Sequence, residues 1–137
     1  MAAAAARHGA TDVLRLVSNS SLEIRSDPAK GRGIFASAAI AAGALIEAAP
    51  VIVISAPQCP LLDKTILHDY YFRWDEHGTG AVALGLVSLC NHSRRPNARV
   101  RRNHARHTLD LLALAPIAVG EEITIDYNCA LWFAAQE

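Results

Sequence analysis

The sequence predicts a mainly β fold of short strands with a few short helical turns, and three observations carry that prediction. Apolar or alternating runs are brief and bounded by turn formers, as Leu22-Glu23-Ile24-Arg25 is by Ser18-Asn19-Ser20-Ser21 before it and Ser26-Asp27-Pro28 after it. β-Branched residues gather where the chain is most apolar, above all in Pro50-Val51-Ile52-Val53-Ile54. The clearest helical stretch is short, Leu61-Leu62-Asp63-Lys64-Thr65-Ile66-Leu67, enough for about one or two turns.

Taken in order, Val13 to Val17 and Leu22 to Arg25 read as the first strands. In Lys30-Gly31-Arg32-Gly33 two glycines flank one residue, which lets the main chain take positive φ or approach another group closely; alone, the pair reads as a turn or bulge. Ile34 to Ala42 opens as a strand and closes on alanine-rich sequence that a helical turn would also suit, and Gly43 restarts the chain at Ala44 to Glu47. Pro50 to Ile54, apolar throughout, is expected to be buried on both faces. Pro57, Cys59 and Pro60 then punctuate the approach to the short helical stretch.

Tyr70-Tyr71-Phe72-Arg73-Trp74 has strand spacing, and aromatic runs of this kind more often pack a core than line a binding wall. Alternation would let at most one of Tyr70 and Tyr71 face a site. Asp75 to Gly80 is a turn. Gly85 opens a helical turn leading into Asn91-His92-Ser93-Arg94-Arg95-Pro96-Asn97, a polar bend in which Pro96 keeps Arg95 extended. From Arg94 to His107 there are six arginines and no acid, as suits an exposed β-hairpin with Val100 turned inward. Thr108 to Ala115 is a strand ended by Pro116. In Gly120-Glu121-Glu122-Ile123-Thr124-Ile125-Asp126-Tyr127 the period of two puts Ile123, Ile125 and the Tyr127 ring on one inward face.

The totals exclude several classes. With 137 residues and 52% hydrophobic composition there is material for one core, and 13 basic against 13 acidic residues give no global attraction to nucleic acid. The arginine hairpin lacks the interleaved aromatics or recognition helix that a nucleic-acid surface would need. No apolar run reaches the ~18 residues of a membrane span. Cys59, Cys90 and Cys129 are odd in number and widely spaced, which fits a reducing, intracellular setting better than a disulfide scaffold. Because no Cys or His pair stands at zinc spacing, no metal is expected.

Three ordered motifs, Gly31-Arg32-Gly33-Ile34-Phe35-Ala36, Asn91 to Asn97 and Gly120 to Tyr127, together resemble the SET-domain family of protein lysine methyltransferases across nearly the whole chain. The resemblance implies a SET-domain, β-clip-like fold with a C-terminal pseudoknot, and S-adenosylmethionine-dependent methyl transfer to a lysine amine in a protein substrate, histones or histone-like proteins among them. Carried over residue by residue, it assigns the main chain of Gly31, Arg32 and Gly33 to the cofactor, Asn91 to the cofactor's amino-acid end and the main chain of His92 to adenine. Tyr127 becomes the active-site tyrosine, and Tyr70, Tyr71 and Ile125 border the lysine channel. Trp132, beside Phe133, either closes the cofactor pocket or anchors the tail. Two departures matter: Ile125 stands where the family often has Phe or Tyr, leaving the number of methyl groups open, and the tail has the single Cys129 in place of a cysteine-rich zinc segment.

The organisation expected is a disordered alanine-rich start over residues 1–10 and one SET domain with a short tail over 11–137, in the cytoplasm, or in the nucleus of a eukaryote. So short a tail is compatible with a homodimer whose second copy completes the substrate groove. Competing readings are a catalytically idle SET module that binds a peptide or partner, and a β-protein that uses the arginine hairpin on nucleic acid.

Overall fold

The structure is a computed structural model, and it describes residues 21–127. The alanine-rich start, Cys129, Trp132 and Phe133 lie outside the described residues. Among the described residues nine strands form two small sheets. β1 (Leu22–Asp27) and β2 (Gly31–Ala36) make a hairpin, with Leu22 opposite Ala36 and Asp27 opposite Gly31. β3 (Leu45–Ile54) is followed by a 3₁₀ turn at Ala56–Gln58, the one-turn helix α1 (Cys59–Leu62) and a second 3₁₀ turn at Ile66–Asp69. Next come β4 (Phe72–Arg73), β5 (Gly80–Ala83), a third 3₁₀ turn at Leu86–Leu89, β6 (Asn91–His92), β7 (Ala98–Asn103), β8 (Thr108–Ala113) and β9 (Glu122–Ile125).

One sheet has the order β4-β5-β3-β8-β7 and the other β1-β2-β9-β6. The second is the sheet that positions the site. The late strand β9 pairs antiparallel with β2, Ile123 opposite Ile34, and parallel with β6, Asn91 opposite Thr124 and His92 opposite Ile125. Ile34, Ile123 and Ile125 are almost fully buried along with Val87, Cys90, Leu109 and Leu111, so both sheets share one core. Burying side chains of this size removes roughly 1.5–3 kcal/mol each from the unfolded state's advantage.

Two local expectations are corrected. Pro50 to Ile54 is not buried on both faces: Ile52 is 51% and Val53 39% exposed. The reason is a change of partner. Leu45 to Pro50 pair with β8, whereas Val51 to Ile54 pair with β5, so the strand's second half runs beyond β8 at the fringe of the layer. Pro50, with no N–H to donate, stands at that handover. Nor does the aromatic run alternate, because only Phe72 and Arg73 are strand; Tyr71, Phe72 and Trp74 are all buried while Tyr70 is exposed.

The arginine hairpin forms as expected, but part of its charge is used internally. Arg101 pairs with the buried carboxylate of Asp110 at 2.9 Å, and Arg102 donates to the main-chain carbonyl of Arg73. Among the described residues no helix is long and apolar enough to cross a membrane.

Candidate active site

The three motifs meet because β9 is held from several sides. Asn97, at the end of the polar bend, uses its side chain as a strand would: Nδ2 donates to Glu122 O at 2.8 Å and Oδ1 accepts from Thr124 N at 2.9 Å. Ser93 N donates to Ile125 O at 2.9 Å and continues the parallel pairing past His92.

Behind the bend stands Glu47 of β3, 3% exposed. Its two carboxylate oxygens accept from Leu86 N and Val87 N, each at 2.8 Å. The 3₁₀ turn that delivers Cys90 and Asn91 therefore hangs from a core strand by two charge-assisted bonds. Gly85 makes room for this, since a Cβ there would lie 2.8 Å from both Glu47 Oε2 and the Ala49 methyl.

The glycine pair has two separate jobs. Gly31 turns the chain at φ 79°, while Gly33 lets β2 come close to two side chains; a Cβ on it would sit 2.6 Å from Glu122 Oε2 and 2.8 Å from Asn91 Nδ2. Those side chains form a relay. Lys30 Nζ pairs with Glu122 Oε1 at 2.6 Å, Asn91 Nδ2 donates to Glu122 Oε2 at 2.7 Å and to Arg32 O at 3.2 Å. The Asn91 Oδ1 atom is left without a partner among the described residues. Gly33→Ala forces this cluster apart at a cost of about 1–3 kcal/mol. We expect a matching drop in the urea midpoint.

Tyr127 is fixed at both ends. Its N–H donates to His92 Nδ1 at 2.9 Å, and its hydroxyl donates to Cys90 O at 2.8 Å. As an acceptor, Nδ1 carries no proton, so the ring's hydrogen is on Nε2. Asp126 Oδ1 stands 3.8 Å from the same Nδ1. Burial pushes the Tyr127 hydroxyl above its usual phenolic range, and the charges of Asp69 and Glu122 act in the same direction.

A cavity of about 320 Å³ opens in front of these groups, lined by Lys30, Gly31, Arg32, His68, Asp69, Tyr70, Ser88, Leu89, Cys90, Asn91 and Tyr127. A narrow cleft of about 10 Å³ adjoins it, bordered by Tyr70, Tyr71, Phe72, Val87, Ile125 and Tyr127 among others. A third, more open hollow of about 430 Å³ lies beside Ile66, Leu67, Tyr70, Tyr71, Val82 and Leu89. Tyr70 borders all three.

Of the residues singled out from sequence, Gly31, Arg32, Asn91, Tyr70 and Tyr127 line one cavity, and Gly33 lies directly behind it. Ile125 and Tyr71 wall the cleft, so both tyrosines reach it, because the chain is not a regular strand at that point. Tyr71 is buried against Gly80 with its hydroxyl donated to Asp63 Oδ1 at 2.8 Å; burial, then Asp63, holds that phenol protonated. His92 does not line the cavity; its ring instead accepts from the Tyr127 main chain. Trp132 falls outside the described residues. Sequence reasoning missed Glu47, Asn97, Lys30 and the inner role of Glu122. Asn97 and Glu122 stood inside two of the motifs without a role of their own, and for Glu47 the signal was a lone acid inside an otherwise apolar stretch. Among the described residues no group of three or more His, Cys, Asp or Glu side chains could hold a metal ion.

Comparison with known proteins agrees with this geometry. A family model described as the SET domain matches residues 31–128. A Schizosaccharomyces pombe histone-lysine N-methyltransferase, named as specific for H3 lysine-37, is 37% identical over 118 residues, covering 85% of this chain and 80% of its own length. The crystal structure of a candidate histone methyltransferase from Plasmodium falciparum superposes with a TM-score of 0.60 at 25% identity, over 78% of this chain and 92% of that one. A chain of an apo PRC2 assembly with substitutions in Ezh2 shares the fold at a TM-score of 0.66 and 19% identity, over 80% of this chain and 15% of that one. With the family model spanning all three motifs and a relative alike over most of both lengths, this chain belongs to the SET-domain family of lysine methyltransferases.

Proposed function

We propose that the chain binds S-adenosylmethionine in the cavity ringed by Gly31, Arg32, Asn91, Tyr70 and Tyr127, and passes its methyl group to a lysine amine on a protein of the histone class. The observation that carries this reading is the convergence of the glycine pair, the Asn91-His92 bend and Tyr127 on one hollow. The S. pombe relative's name points to the substrate class, and a histone substrate supports a nuclear location.

The residues fit the cofactor. About 320 Å³ is within the range of small-molecule sites. Lys30 and Arg32 offer positive charge to a carboxylate, the unengaged Asn91 Oδ1 suits an ammonium, and Leu89 and Tyr70 offer apolar surface. When bound, S-adenosylmethionine supplies an electrophilic methyl group on a sulfonium.

The chain's own residues supply placement and the right protonation. The Tyr127 hydroxyl gives its hydrogen to Cys90 O, so its lone pairs are what it presents to the cleft. Those lone pairs orient an amine N–H and favour the positive charge that grows at the methyl carbon. Phe72, Val87 and Ile125 give the cleft an apolar side, which disfavours a lysine ammonium and lowers its pKa from about 10.4, against the opposite pull of the Asp69 carboxylate at the same cleft. The open hollow beside Ile66, Leu67 and Val82 takes the segment on which that lysine is carried.

The test is incubation with a radiolabelled methyl donor and histones, followed by identification of the labelled residue. Absence of label on any lysine overturns the reading. Because Tyr127 is held above the usual phenol value of about 10, kcat/KM should climb with pH as the substrate amine loses its proton. A decline starting near pH ~8 would contradict that role.

A further inference from the structure

Asp69 closes the 3₁₀ turn Ile66–Asp69 and lies on the wall of both the cavity and the cleft beside Tyr127. Among the described residues no other acid lines either space. The turn that carries it is well fixed: Thr65 Oγ1 accepts from Leu67 N at 3.1 Å, Tyr70 N donates to Leu67 O at 2.9 Å, and His68 Nδ1 is 3.0 Å from Asp63 Oδ1. The other acids near the site are engaged, Glu122 with Lys30 and Asn91, Asp63 with His68 and Tyr71. The Asp69 carboxylate, by contrast, has no hydrogen-bond or ion-pair partner among the described residues, although its charge is felt at both the Tyr127 hydroxyl and the His68 ring.

We infer that Asp69 is a specificity-determining residue that captures the cationic end of the substrate lysine at the rim of the cleft. This rests on the methyltransferase reading above. A lysine arrives as an ammonium, and the apolar cleft repels that form. A carboxylate at the rim raises the local concentration of the cation and hands it to the cleft, where the proton is lost to solvent before transfer. The cofactor is also a cation, so the two possible occupants must be separated by experiment.

The test compares the wild type, Asp69→Asn and Glu76→Gln, the last removing an exposed carboxylate that borders neither space. Calorimetry is run with histone H3 peptides carrying one lysine, with the same peptides carrying norleucine there, and with S-adenosylmethionine. For Asp69→Asn, Kd and KM for the lysine peptide should rise roughly fivefold at low salt. The difference should shrink at about 0.5 M salt. Norleucine-peptide Kd, cofactor Kd and the behaviour of Glu76→Gln should stay at wild-type values. An unchanged lysine-peptide Kd, an equal rise for norleucine, or weakening confined to the cofactor overturns the inference. Because peptide binding is read without turnover, a wild type that bound lysine peptides in this Asp69-dependent way and transferred no methyl group would sink only the methyltransferase reading.

Discussion

Tyr127→Phe leaves the protein folded and able to bind S-adenosylmethionine, while kcat falls by about 10²–10³-fold. The variant keeps the ring, its half-buried place and the main-chain bond to His92, and loses only the hydroxyl donated to Cys90 O. One neutral hydrogen bond is worth about 1 kcal/mol, so thermal unfolding moves by a few degrees and cofactor Kd barely at all. Turnover suffers because the lost oxygen is the atom proposed to face the methyl carbon and the amine. Single-turnover methyl transfer alongside calorimetry separates the two effects, and full activity in the variant would show that the phenol is merely structural.

Removing Glu47 should do the most damage to stability, although its carboxylate lies outside the cavity. Glu47→Ala strips the acceptors from the part-buried N–H of Leu86 and the buried N–H of Val87, at a cost of about 3–5 kcal/mol. That is a large share of the roughly 5–15 kcal/mol that holds a domain together. Glu47→Gln is only a partial remedy, because one of its two positions becomes a donor facing a donor. Urea unfolding should give the order wild type, Gln, Ala. Amide exchange at Cys90 and Asn91 should speed up in both variants, and unaltered protection there would mean the turn is held by something else.

Much of this was legible from the chain, because its signals were local. The alternation of Ile123, Ile125 and Tyr127 announced an inward phenol, and the two glycines allowed either a positive φ or a close approach of main chain. What periodicity could not supply was which segments are neighbours. The pairing of β6 with β9 joins Asn91 to Thr124 across more than thirty residues, and only likeness to a known family anticipated it. The misreadings have the same origin. Val51 to Ile54 looks fully buried by composition, yet the strand changes partner at Pro50, a fact set by where β8 ends. Asn97 looks like an ordinary turn residue until β9 is laid beside it. Glu47 was passed over because its partners, two main-chain N–H groups some forty positions away, leave no trace in side-chain pattern.

The position of β9 also bears on how the protein is made. A ribosome releases β2 and β6 well before residues 122–125 emerge, so for part of synthesis both strands present open edges where their shared neighbour will later fit. Open edges invite pairing with other nascent chains. Those open edges are an aggregation hazard during translation, and holdase chaperones that shield strand edges should raise the chain's soluble yield.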